Sequence, residues 1–265
     1  MKKLIFSRAS LFFALAILLL TNCSCIDVVA KTKRVTPNKQ YQVKPINVET
    51  FNAVSVLGNC DVVFTPSTSQ SLELYASENV LDLIEVYVEN HKLIVRIKKD
   101  YNIMRSNDIM ELRVSAPMIK QAKVTGSATF LLKEDAEIDN LTLSVTGSGK
   151  ILTKKAVAHQ VDCYVTGSGD IKIMQLLSKS VKVKVTGSGD VKMAGSVDKA
   201  EYLVTGSGEV DAEAVKAKDV EAKITGSGDI RCYPTESLNA NRTGSGIIHY
   251  KGDAVKIGTK GVHKI

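Results

Sequence analysis

The chain of 265 residues contains no tryptophan, and aromatic residues make up only 5% of it. Sugar-binding clefts and nucleic-acid platforms draw on aromatic stacking, so the composition argues against both and no nucleic-acid partner is expected. Histidine is scarce too. His91, His159, His249 and His263 are the only ones, and none has a Cys, His or Asp partner at metal-ligand spacing along the chain. No Gly-x-Ser-x-Gly nucleophile turn occurs. The apolar run Leu11–Leu20 is too short to span a bilayer as a helix.

What is abundant is one short phrase. Val-Thr-Gly-Ser-Gly begins at Val145, Val165, Val185 and Val204, and recurs as Ile224-Thr225-Gly226-Ser227-Gly228. A relaxed copy, Val124 to Ala128, precedes the run, and Arg242 to Gly246 closes it. The threonines of these copies recur about every 20 residues, the signature of a solenoid. Before each turn, alternate positions are apolar, as in Val161, Cys163, Val165 and Val181, Val183, Val185. After it the alternation resumes, as in Ile171, Ile173 and Val191, Met193. Period-two alternation predicts strands with one buried face. One repeat therefore reads as strand, Thr-Gly-Ser-Gly turn, strand, and a looser return through residues such as Met174 to Ser180.

A unit of this kind cannot bury its apolar face alone. Stacked about 4.8 Å apart, the units form parallel sheets around a continuous Val/Ile core, and seven rungs make a rod of about 30 Å. The first glycine is present in all seven copies, whereas the second is Ala128 once. The stricter backbone demand is thus expected at the first position, where positive φ costs glycine little. The corner Thr and Ser are expected to form hydrogen-bonded ladders between rungs. The expected fold is an all-β parallel β-helix.

Residues 1–22 read as an export signal, with Lys2, Lys3 and Arg8 ahead of the apolar run. Leu20-Thr21-Asn22-Cys23 resembles a bacterial lipobox. That resemblance implies lipidation of Cys23 and cleavage before it, and Ser24 in place of Asp implies sorting to the outer membrane. An ordinary secretory peptide is the alternative. Loss of the signal lowers the net charge from +7 to +4. Residues 23–45 read as the lipidated cysteine and a polar tether, and 46–265 as one β-helix domain. Within it, 46–120 form irregular first coils, 121–248 the regular repeats and 249–265 a C-terminal cap. In the first part, Val54–Phe64 can be laid over the repeat as a degenerate rung, with Gly58 at the first glycine and Asp61 at the acidic position. Ile84–Val88 and Leu93–Ile97 read as strand–turn–strand, Asn79–Leu83 as a helical turn, and Met110–Val114 as leading into the array. Cys163 and Cys232 lie three repeats apart, too far for a disulfide; with Cys60 they read as buried, reduced, small hydrophobes.

An exported anchor, a degenerate first rung and reiterated V-T-G-S-G-D-[IV] resemble the family of auto-transporter adhesins with a head GIN domain, bacterial proteins common in Bacteroidetes. The resemblance covers roughly residues 46–250. It implies a right-handed β-helix similar in shape to pectin-lyase-like folds, a role in adhesion, and no catalytic residues.

The candidate site is the residue after each turn: Asp170, Asp190, Glu209 and Asp229, preceded by Lys150. Carboxylates stacked one rung apart repel, which calls for raised pKa values or an intervening cation. Calcium suits an oxygen array, but the spacing is not that of nine-residue calcium-binding β-rolls. Lys172, Lys192 and Arg231, two positions on, could instead neutralise the column, although Asp211 interrupts that pattern. A solvated charged edge is the plainer reading. The leading functional expectation is an outer-membrane-anchored, non-enzymatic adhesin or binding protein, its partners the membrane, through the lipid, and an unidentified protein or glycan. A periplasmic structural lipoprotein that binds an envelope component is the alternative, and a carbohydrate-active β-helix enzyme the third reading. A ladder of near-identical turns argues against the asymmetric constellation that an enzyme needs. The sequence does not specify the oligomeric state.

Overall fold

The computed structural model describes residues 32–104, 108–133, 136–259 and 262–265. The expected signal, Cys23 and the first part of the tether lie outside the described residues. The fold is a stack of parallel coils, a β-solenoid of about six turns. Its inward positions are those the alternation marked: Val161, Cys163, Val165, Ile171 and Ile173 are buried, as are their counterparts in the following rungs. Gly147, Gly167 and Gly187 lie in register through successive coils, as do Val145, Val165 and Val185.

The return between rungs is not loose. Asp170–Gly187 is one continuous strand assignment, and Gln175 to Ser178 pair in parallel with Lys155 to Ala158 below. The alternation blurs here because side chains turn around a corner, yet the neighbouring coil still supplies backbone partners. Differences in rung length are absorbed after the second strand, with register shifts at Ile173/Leu176 and Lys192/Ala194. In the shorter rung Gly195 adopts φ 142°. A Cβ there would collide with the carbonyl of Leu176.

Spatial order departs from chain order at the N-terminal end. Ala53–Gly58 and Asp61–Pro66 form the rung beneath Gln121–Gly126 and Thr129–Leu132, with Gly58 under Gly126 as the sequence register predicts. Lys92–Ile97 and Glu111–Ala116 form a layer on the other side of that rung. The segment expected to lead into the array therefore lies under it. The hairpin Ile84–Glu89/Lys92–Ile97 is antiparallel. Its turn residues Asn90 and His91 have φ 51° and 57°, the paired positive values that match the twist of a two-residue hairpin. The helical turn spans Glu78–Leu81.

The tether is shorter than expected. Lys33–Val35 pairs with Tyr101–Ile103, and Tyr41–Ile46 runs antiparallel to Ser71–Ser77. Pro45 suits such an edge strand, where one backbone N–H is dispensable. The C-terminal segment is likewise more regular than a cap: Val255–Thr259 pairs with Ser237–Ala240, and Val262–Lys264 with Ile248–Tyr250. An incomplete further coil closes this end. Arg242 stands at the inward position above Ile224, and its Nη1 donates to the carbonyl of Gly246 at 2.7 Å.

Candidate functional site

The corner is built from two glycine columns: both are closely approached by the rung below, and the first also needs positive φ. The first glycines have positive φ, 104° at Gly147 and 110° at Gly167, a region that side chains disfavour. The second glycines are required by close approach. A Cβ on Gly149 would lie 2.7 Å from the carbonyl oxygen of Ala128 and 2.5 Å from Val124 Cγ1. Lower in the same column Cys60 and Ala128 carry side chains and are buried, so the demand for glycine at this position starts above them. The ladder at the corner is made by the backbone and not by the hydroxyls: each Ser N–H donates to the first-glycine carbonyl one rung below, 2.9 Å for Ser148 to Gly126 and 2.8 Å for Ser188 to Gly167.

This corner places the predicted carboxylates in one column. Lys150 sits under Asp170, Asp170 under Asp190, Asp190 under Glu209, and Glu209 under Asp229. Neighbours occupy them in turn. Lys150 Nζ lies 2.9 Å from Asp170, and the Asp170 carboxylate beside it raises the Lys150 pKa. Asp190 Oδ1 accepts the backbone N–H of Glu209 at 3.1 Å, and Asp229 Oδ1 that of Ile247 at 2.9 Å. In the degenerate rung Asp61 does the same for Thr129 at 2.7 Å. Arg231 pairs with Glu209. Asp211 interrupts the basic column between Lys192 and Arg231, as expected, and takes Lys192 as its partner. The arrangement is a ladder in which each carboxylate holds a group of an adjacent rung. Among the described residues no three His, Cys, Asp or Glu side chains cluster as metal ligands.

The histidines gain one partner that chain spacing hides. His159 Nδ1 lies 3.2 Å from Asp139 Oδ1, 20 residues away and one rung below. His249 and His263 stack in one column with ring centroids 6.2 Å apart. Cys60, Cys163 and Cys232 are buried, as expected. Burial pushes the Cys163 and Cys232 thiols up to about 12, so the reactive thiolate is absent near neutral pH.

A second surface feature escaped motif reading. Ile138, Ala158, Ser178, Val197 and Ala217 stack in register as the floor of a groove along the rod axis. Val157, Leu177, Ser196 and Lys216 form one wall. The opposite wall carries Asp139, His159, Lys179, Asp198 and Lys218, and Met118 closes one end. The groove consists of two adjoining depressions of about 430 Å³ each, which share Leu177 and Ser178. On a neighbouring stretch of the coils, a polar depression of about 580 Å³ is lined by Lys182, Lys199, Glu201, Asp219 and Ser237. There Lys182 bonds Glu201 at 2.8 Å, and Ser237 Oγ donates to Asp219 at 2.6 Å. The groove's signal in the sequence was one apolar or small residue per 20-residue period, visible only when the repeats are aligned on one another.

Fold and surface together define the class: a β-solenoid whose flanks carry ladders of charged side chains, grooved along its length. Residues 50–254 match the family described as "Putative auto-transporter adhesin, head GIN domain", and the chain belongs to that family. No curated protein matches it. Among solved structures, the chain is similar to a "putative lipid binding protein" from Parabacteroides distasonis ATCC 8503, with 25% identity and a TM-score of 0.82 over 88% of this chain and 100% of that one. It shares its fold with two proteins each called a "putative adhesin". The one from Parabacteroides merdae ATCC 43184 has 24% identity and a TM-score of 0.77. The other, from P. distasonis ATCC 8503, has 22% identity and a TM-score of 0.81. Each alignment covers 88% of this chain and 100% of the relative. Membership suggests an exported protein of the cell envelope. Among the described residues no helix is long and apolar enough to cross a membrane.

Proposed function

We propose that the protein is a non-catalytic binding protein, anchored in the outer membrane through lipid on Cys23, whose solenoid presents a repetitive polar flank to a protein or glycan ligand. The observation that carries this reading is the registered charge along the rod: Lys150, Asp170, Asp190, Glu209 and Asp229 in one column. Repetition at a fixed spacing suits a ligand that is itself extended, because each rung adds a similar contact. A periplasmic structural lipoprotein would use the same flank on an envelope component. Protease shaving of intact cells, beside a lysed control, separates the two. Digestion on intact cells is the expected result; protection until lysis would place the rod in the periplasm and remove the adhesion reading. Loss of membrane association in Cys23→Ser tests the anchor.

A second reading is lipid binding, favoured by the groove over Ile138, Ala158 and Val197. It takes support from the name of the relative that is 25% identical. It is compatible with surface exposure, since the groove and the carboxylate column are separate features of the rod.

A further inference from the structure

The groove's own chemistry narrows the lipid. We infer that it holds the hydrocarbon chain of a long-chain fatty carboxylate, its tail toward Met118 and its carboxylate beside Lys216 and Lys218. This inference rests on the lipid-binding reading and adds the ligand class and its orientation.

The first argument is what the groove does not offer. Its floor residues belong to parallel strands whose backbone groups are engaged between rungs. Ser178, the polar member of the floor, turns its hydroxyl to the carbonyls of Ser180 at 2.6 Å and His159 at 3.1 Å. A peptide or sugar laid against this floor would bury polar groups without partners there, which is costly. A hydrocarbon chain has no such groups. The second argument is apolar surface left in water: Met118 is 42% exposed and Leu177 38% exposed, on either side of the Ile138–Ala158 floor. The third is length. Four rung intervals at about 4.8 Å span roughly 19 Å, and one acyl chain occupies about half of a 30 Å bilayer core. The groove takes one such chain with room for its head.

Polarity changes along the axis and sets the orientation. One wall changes from Val157 and Leu177 at the Met118 end to Ser196 and Lys216 at the other, while the opposite wall is polar throughout, with Asp139, His159 and Lys179 and then Asp198 and Lys218. Asp198 bonds Lys218 at 2.8 Å. Lys179 also acts on Asp198 electrostatically. Among the described residues Lys216 has no carboxylate partner in an ion pair. Asp198 is shared by Lys218 and Lys179, and Glu236 and Asp219 also act on Lys218, so Lys216 remains at this end to attract an anionic head group.

The test uses the full chain in washed membranes, with a 16-carbon fatty acid bearing a mid-chain diazirine and a terminal alkyne as photoprobe. Saturable labelling is expected, with adducts mapped to the coils that carry Val157, Leu177 and Val197. Unlabelled palmitate should compete and hexadecanol should not. Leu177→Glu should weaken labelling about tenfold, as should Val157→Gln. Met174→Glu, at an exposed site lining a different depression, should leave it unchanged, and Lys216→Glu with Lys218→Glu should weaken it. Labelling indifferent to Leu177→Glu, or equally reduced by Met174→Glu, means partition onto any apolar surface and overturns the inference. If a diazirine phosphatidylcholine labels the groove in a Leu177-dependent way and the fatty acid does not, the fatty carboxylate falls and lipid binding stands. If neither probe labels it, both fall.

Discussion

Val124 Cγ1 occupies the space that a Cβ on Gly149 would need, with 2.5 Å between the two positions. From Val124 upward, the valine that fills the core of one rung thereby dictates glycine in the next, and the pair repeats as Val165 against Gly189 and Val185 against Gly208. Core packing and corner geometry are one constraint.

Gly169→Ala should therefore lower stability by about 2 kcal/mol through overpacking. Gly167→Ala should cost a similar amount through strain at φ 110°. Ala128→Gly, at the position where a methyl is already housed, should cost only about 1 kcal/mol. Chemical denaturation followed by circular dichroism would rank the three. Equal effects at positions 128 and 169 would show that close approach is not what selects the second glycine.

The carboxylate column acts as a rung-to-rung clip. Asp190→Ala should lose up to about 1 kcal/mol because the Glu209 N–H keeps only the longer bond to the Gly189 carbonyl at 3.3 Å, while Asp190→Asn keeps both acceptors and should lose less. Since Asp190, Glu209 and Asp229 are each engaged by neighbouring groups, the melting temperature should be the same in millimolar calcium and in chelator. A calcium-dependent rise would instead place a cation in the column.

Alkali should loosen the core. The folded Cys163 and Cys232 thiols are pushed up to about 12 by burial, well above the usual thiol range. Folded pKa values above unfolded ones mean that this stability is fully present below about pH 9 and is lost as pH rises toward 12. Urea midpoints should be flat near neutral pH and fall above pH 9. The Cys163→Ala, Cys232→Ala double variant should flatten that alkaline fall. A thiol reagent at pH 8 should react with these cysteines only after unfolding.

Arg242 ties the last turn beneath the incomplete final coil. Arg242→Val would restore the repeat's apolar inward residue but remove the donor to the Gly246 carbonyl, and should lower stability by about 1 kcal/mol. Urea midpoints would show the loss, and Arg242→Lys, which keeps a donor, should lose less.

Much of this molecule is legible before folding is considered. The alternation around Val161–Val165 and Ile171–Ile173 identifies the inward face because strand side chains alternate with period two. The spacing of the Thr-Gly-Ser-Gly turns sets the rung length, and overlay of Val54–Phe64 on the repeat puts Gly58 under Gly126 and Asp61 at the acidic position, where the structure has them. The return from Met174 to Ser180 was harder. Its residues turn a corner, so side-chain pattern no longer reports backbone pairing. The groove is hard to see for a related reason: Ile138, Ala158, Ser178, Val197 and Ala217 share only a small or apolar character and meet only across rungs.

Local sequence by itself determined the solenoid, its period, its buried positions and the column in which Asp170, Asp190, Glu209 and Asp229 stack. These follow from steric rules that act within a few residues and are then repeated. Only the tertiary structure decided which coil lies on which. It slid Glu111–Ala116 beneath Asp61–Pro66 although it follows that strand in the chain, drew Tyr41–Ile46 into the sheet, and set His159 against Asp139. Those outcomes depend on pairing between segments far apart in sequence, where unpaired strand edges must find partners and no local pattern says which.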